Sequence, residues 1–163
     1  MQKAITQENI KIENLIYEIR GKYVMIDSDL AKLYGVETKR INESVKNNLE
    51  KFPERFSWKL SDSEFYNLRS KFSTSSLENG YGGRRYNPRV FTEEGVAMLS
   101  TVLKSKTATQ VSIRIMDTFV SMRKFINNNK DIFRKNTRKN IYLNFFKYQF
   151  TTSNINDIMF TGD

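Results

Sequence analysis

A chain of 163 residues with neither cysteine nor histidine has to hold its fold by burying apolar surface alone. No disulfide framework and no thiolate metal site is open to it, and the commonest metal ligand and general base is missing. The length suffices for one domain with a real core. With 39% hydrophobic and 13% aromatic residues, the chain lies outside the composition of sequences that stay disordered. Its apolar stretches are short and broken by charge, and the N-terminal MQKAITQENIKIEN lacks the basic-then-apolar layout of a signal peptide. The expectation is a cytoplasmic domain, neither secreted nor membrane-spanning.

Residues 10–26, IKIENLIYEIRGKYVMI, alternate apolar positions (Ile16, Ile19, then Tyr23, Met25) around Gly21-Lys22, which predicts two strands and a tight turn. Asp27, Ser28 and Asp29 then offer N-cap and first-turn chemistry for a short helix, LAKLY, that stops at Gly35. Thr38 is the expected cap of a second helix running to the break at Phe52-Pro53. A short strand, FSWKL, precedes Ser61-Asp62-Ser63-Glu64, which has the form of a capping box and opens a third helix to about Phe72. A loop rich in Ser, Asn and Gly follows, then a strand, PRVFT. A helix from Glu93 capped by Thr92 comes next, and then a long amphipathic helix opened by a second capping-box form at Thr107-x-x-Gln110. Its apolar positions include Ile115, Met116, Phe119, Val120 and Met122. Asn127-Asn128-Asn129 mark a boundary, and the basic, aromatic segment beyond it has no clean period.

Two helices joined by a glycine-containing turn read DNA when the first braces the second and the N-terminal residues of the second enter the major groove. Ala31 is small where the helices approach, Gly35 suits a left-handed turn, and Ile41 faces inward, with Val36 and Val45 filling the space between. On the second helix, Ile41, Val45, Leu49 and Phe52 share one face by i, i+4 spacing. Lys39, Arg40, Glu43, Lys46 and Asn47 lie largely opposite, with Asn42 at the edge. Arginine forks onto guanine edges, asparagine onto adenine, and lysine neutralises phosphate. An ordinary solvated helix carries the same stripe, so the pattern gains weight only from other features.

One such feature is charge. Lys and Arg number 27 against 18 Asp and Glu, leaving +9, the footprint of a nucleic-acid binder. Another is Gly80-Tyr81-Gly82-Gly83-Arg84-Arg85-Tyr86, which joins flexible glycines to two guanidinium groups beside aromatics, with Arg89 close behind. That composition suits a phosphate backbone or a narrow minor groove. The alternative is an exposed loop whose arginines pair with Glu78, Glu93 or Glu94.

The run IYEIRGKYVMIDSDLAKLYGVETKRINESVKNNLEKFPERFSWKLSDSEF, followed by GGRRYNPRVFTEEGVAMLSTVL, resembles the ORF-six N-terminal domain, a phage-associated module related to the KilA-N and Bro-N domains. The resemblance covers roughly residues 10–125, and DSDLAKLYGVETKR, GGRRY and FTEEGVAMLS carry it. It implies an α+β DNA-binding domain of phage or prophage transcriptional regulators and antirepressors. It places the DNA-reading segment on Thr38 to Asn47 and a second contact on Arg84 and Arg85.

The resulting expectation is an α+β domain over residues 1–129, with an N-terminal hairpin, a helix-turn-helix, short strands with a basic loop and two C-terminal helices. Residues 130–163 form a basic aromatic tail. Double-stranded DNA is the expected partner, through Thr38, Lys39, Arg40, Asn42, Glu43, Lys46, Asn47, Arg84, Arg85 and Arg89. No catalysis, metal or cofactor is expected. Two rivals remain. Glu37-Thr38-Lys39 with Asp27 and Asp29 has the loose outline of a magnesium nuclease, although its triplet sits in a turn rather than on a sheet. A protein-interaction module would instead grip a repressor, with residues 107–126 as the seam of a homodimer or partner complex.

Overall fold

The computed structural model describes residues 11–71 and 86–130. After a 3-10 turn at Ile12–Leu15, strands β1 (Tyr17–Ile19) and β2 (Lys22–Ile26) pair antiparallel with Ile19 opposite Lys22. This register leaves a two-residue loop, Arg20-Gly21, with φ of 55° and 71°. Positive φ at both positions is the type I′ turn, whose twist matches that of paired strands. The turn therefore lies one residue before the expected Gly21-Lys22, and Lys22 is already in the ladder.

Helix α1 (Asp27–Tyr34) ends at Gly35, which takes the left-handed conformation. Gly35 N–H donates to the Lys32 carbonyl and Val36 N–H to the Ala31 carbonyl, closing a Schellman motif. Helix α2 (Thr38–Lys46) follows a three-residue turn. Neither helix has a side chain bonded at its N-cap, so the capping expected of Thr38 is absent, and Glu37 occupies that position. Helix α2 also stops six residues short of Phe52. Its end falls at Asn47-Asn48, where the Asn48 amide donates to the Ser44 carbonyl and Asn48 leaves helical geometry. Asparagine competes in this way with the helical ladder. A 3-10 turn, Leu49–Lys51, carries the chain on. Phe52 is consequently buried edge-on against Phe91, whereas Leu49 is 64% exposed rather than part of the inward stripe.

Strand β3 (Ser57–Lys59), helix α3 (Asp62–Lys71), strand β4 (Arg89–Phe91) and helices α4 (Glu93–Leu103) and α5 (Lys106–Asn128) complete the described elements. The α3 capping box is present: Ser61 N–H donates to the Glu64 carboxylate and Glu64 N–H to the Ser61 hydroxyl. Thr92 caps α4 through Gly95 N–H. At α5 the cap is Ser105, whose hydroxyl accepts from Ala108 N–H, and not Thr107. The architecture is α+β, as expected.

The sheet is antiparallel in the order β1-β2-β4-β3, so the last strand in the chain inserts between the second and third. Strand alternation then gives two faces. Tyr17, Val24, Ile26, Trp58, Leu60 and Val90 meet Leu68 and Phe65 of α3 on one. Met25 and Phe91 point to the other, where α1, α2 and α4 pack. Of the described residues, those up to Met116 form one compact unit and those from Asp117 belong to a second. In the first, Tyr34 of α1 and Ser112 of α5 share a buried hydrogen bond of 2.7 Å. Burial pushes the Tyr34 pKa up to about 12, against the opposing pull of Ser112. In the second, the described residues continue α5, with Phe119 and Met122 buried and Val120 exposed.

Candidate functional site

Helix α2 divides its residues among three sides. Ile41, Ser44 and Val45 are buried, and Ala31, Leu30 and Leu33 of α1 are buried with them in the first unit. Arg40 and Asn47 are exposed on a second side. The third carries Lys39, Asn42, Glu43 and Lys46, spaced i, i+3, i+4 and i+7, with Lys39 and Glu43 3.7 Å apart as an exposed ion pair.

Opposite this third side stands the sheet. Ser57 and Lys59 share the β3 face away from α3, so Lys59 is exposed while Trp58 is buried. Arg89, its ladder partner on β4, is half-buried and donates to the Ser57 hydroxyl at 3.2 Å. Burial lowers the Arg89 pKa below the usual arginine value, and the Asp27 carboxylate opposes that. An arginine so placed still carries its charge at neutral pH.

Asp27 joins the two walls. The residue is 3% exposed, with one carboxylate oxygen accepting from Ser28 N–H at 2.8 Å. The other accepts from the Asn42 amide at 2.9 Å and from Arg89 N–H at 3.2 Å. Asn42 also donates to the Thr38 carbonyl at 3.1 Å. Both amide hydrogens are therefore engaged and its carbonyl oxygen is the group left for a ligand. Asp27 thus locks the first strand-to-helix junction, α2 and β4 together.

The walls enclose an open groove of about 760 Å³. Thr38, Lys39, Asn42, Glu43, Val45 and Lys46 line it from α2, Leu49 from the turn beyond, Lys59 from β3, and Tyr86, Asn87 and Arg89 from the approach to β4 and from β4 itself, with Asp27 at the junction. Of the residues singled out from sequence, Thr38, Lys39, Asn42, Glu43, Lys46 and Arg89 come together here. Arg40 and Asn47 lie on the adjoining exposed side of α2. Arg84 and Arg85 fall outside the described residues.

The family model of the ORF6N domain matches residues 14–102, more than half of the chain. The chain belongs to the ORF6N domain family. The match ends short of the 10–125 over which the sequence resemblance extends, but every groove-lining residue of this ORF6N domain lies within it. Membership places the domain in a phage-associated regulatory and DNA-binding family. No curated protein and no solved structure matches the chain.

Sequence reasoning missed Lys59, Asn87, Leu49 and the bridging role of Asp27 in this ORF6N domain. Asp27 reads as cap chemistry, and Lys59 declares itself only once β3 is known to pair with β4. Strand alternation in Ser57-Trp58-Lys59 is the one local signal that places Lys59 opposite the core. Among the described residues no cluster of three acidic groups converges as a metal site. Glu37 is exposed at the start of α2, and Asp27 is committed to Ser28, Asn42 and Arg89. No helix among the described residues is long and apolar enough to cross a membrane.

Proposed function

We propose that this ORF6N domain is a phage-type transcriptional regulator or antirepressor that binds double-stranded DNA through α1 and α2 acting as a helix-turn-helix, without catalysis. The observation that carries this reading is the convergence of Lys39 and Lys46 with Lys59 and Arg89, cations far apart in sequence, along one open groove. Phosphate contacts fix the position of a protein on DNA, and base edges supply sequence preference. Lys39, Lys46, Lys59 and Arg89 take the phosphate role. Arg40 and Asn47, on the exposed side of α2, take base edges, and Asn42 acts by holding α2 against Asp27. Arg84 and Arg85 add contacts to the DNA backbone.

Fluorescence anisotropy on a mixed-sequence duplex across a salt series tests it, comparing wild type with K39A/R40A and with R84A/R85A. Binding that falls with salt and weakens in both variants is expected, because released counterions drive phosphate contacts. A folded protein that ignores duplex DNA at low salt refutes the reading.

A second role, gripping a repressor or a second copy through residues 107–126, is favoured by one observation: Ile113 is 55% exposed on α5. Sedimentation of wild type against I113E is the check. Monomer throughout, with no repressor captured, removes that role.

A further inference from the structure

The groove holds two features that duplex binding leaves unexplained. Tyr86 is 76% exposed and Leu49 is 64% exposed, and both line the same cationic concavity. A duplex presents phosphates and base edges outward and keeps the faces of its bases stacked inside. An exposed ring in a basic groove meets a base face only when that base is unstacked, which is how single-strand sites work: cations track the backbone and aromatic rings stack the bases. The concavity is also of the right size, since sites for molecules as large as a nucleotide occupy about 300–1,000 Å³.

We infer that the groove between α2 and the β3–β4 edge seats a single DNA strand, with one unstacked base against the Tyr86 ring. This rests on the nucleic-acid reading of the groove and names a second form of the same ligand. Lys39, Lys46, Lys59 and Arg89 neutralise the strand's phosphates, and Leu49 supplies an apolar contact to base or sugar. The Asn42 carbonyl oxygen, aimed by the hold of Asp27 on its amide, accepts from a base N–H. No hydrogen-bond code is needed for stacking, so the strand site is tolerant of sequence.

The experiment is anisotropy at low salt with the full chain, using a short labelled oligothymidylate and, separately, a mixed-sequence duplex, for wild type, Y86A and Y86F. Tyr86 is largely solvent-exposed, so neither variant disturbs the core. Wild type is expected to bind the strand, Y86A to lose roughly tenfold, and Y86F to keep wild-type affinity because the ring does the stacking. Duplex affinity falls less than strand affinity in Y86A. Duplex binding without strand binding overturns this inference and leaves the proposed function standing. Failure to bind either overturns both. Equal strand binding by wild type and Y86A overturns it too, as does a loss in Y86F matching that in Y86A, which would make the hydroxyl a phosphate contact.

Discussion

Gly95 sits one turn into α4, where a Cβ would run into the Phe56 carbonyl oxygen. That oxygen also accepts from Thr92 N–H at 2.9 Å and from the Thr92 hydroxyl at 3.2 Å, so it has no freedom to retreat. Overpacking against fixed backbone costs about 1–3 kcal/mol. G95A is expected to lower the urea midpoint accordingly without changing the slope of the transition. Asp27 presents the opposite case, a buried acceptor whose loss strands its donors. D27A leaves the Asn42 amide and Arg89 N–H each short of a partner, at about 1–3 kcal/mol for a buried unsatisfied group. Urea denaturation should show a loss of that order or more. Duplex affinity should fall even at temperatures where the protein remains folded, since Asp27 aims the α2 wall of the groove.

Between elements, two side-chain links respond to pH in opposite directions. Arg20, at the tip of the β1–β2 turn, bonds Glu64 at 2.6 Å and Glu54 at 3.4 Å and lies over the Trp58 ring. The hydrogen bond from Arg20 holds the Glu64 carboxyl below its ordinary pKa. The folded-state value is the lower one, so this stabilisation is present above the ordinary glutamate pKa and disappears as pH falls through the depressed value. The pair is partly exposed to solvent, so its worth is a fraction of about 1 kcal/mol. Thermal melts should show wild type and E64Q differing at neutral pH and converging in acid. Tyr34 behaves the other way. Its folded pKa is raised to about 12 from an ordinary 10.0, so stability holds below 10.0 and is lost as pH rises toward 12. Y34F should flatten that alkaline loss, while costing about 1 kcal/mol at neutral pH through the missing bond to Ser112. Elements with local signals, such as the capping box before α3, Thr92 before α4 and Gly35 after α1, were legible from the amino acids. The end of α2 was not. Its apolar spacing continues through Leu49 and Phe52, and the helix stops because Asn48, whose side chain takes the Ser44 carbonyl, leaves helical geometry.

At the scale of the whole molecule, the hardest feature to foresee was the insertion of β4 between β2 and β3, because no local pattern encodes which strands become neighbours. That one topological step sets Lys59 and Arg89 across from Lys39 and Lys46 and turns a charged helix into one wall of a groove. It also makes the proposed DNA contact quantitative. A net charge of +9 spread evenly would attract any polyanion weakly. Cations gathered in one groove neutralise a definite set of phosphates instead. With Lys39, Lys46, Lys59 and Arg89 each meeting one duplex phosphate, the groove should contribute roughly −3.6 to the slope of log K against log salt, at about −0.9 per phosphate, with Arg84 and Arg85 adding to it. Each alanine substitution at Lys39, Lys46 or Lys59 should make that slope shallower by about 1, whichever duplex sequence is used. K59A is the decisive one of these, since Lys59 was invisible until the sheet order placed it. A slope unchanged in K59A would mean that DNA does not reach Lys59 and that the β3 edge of the groove faces some other ligand.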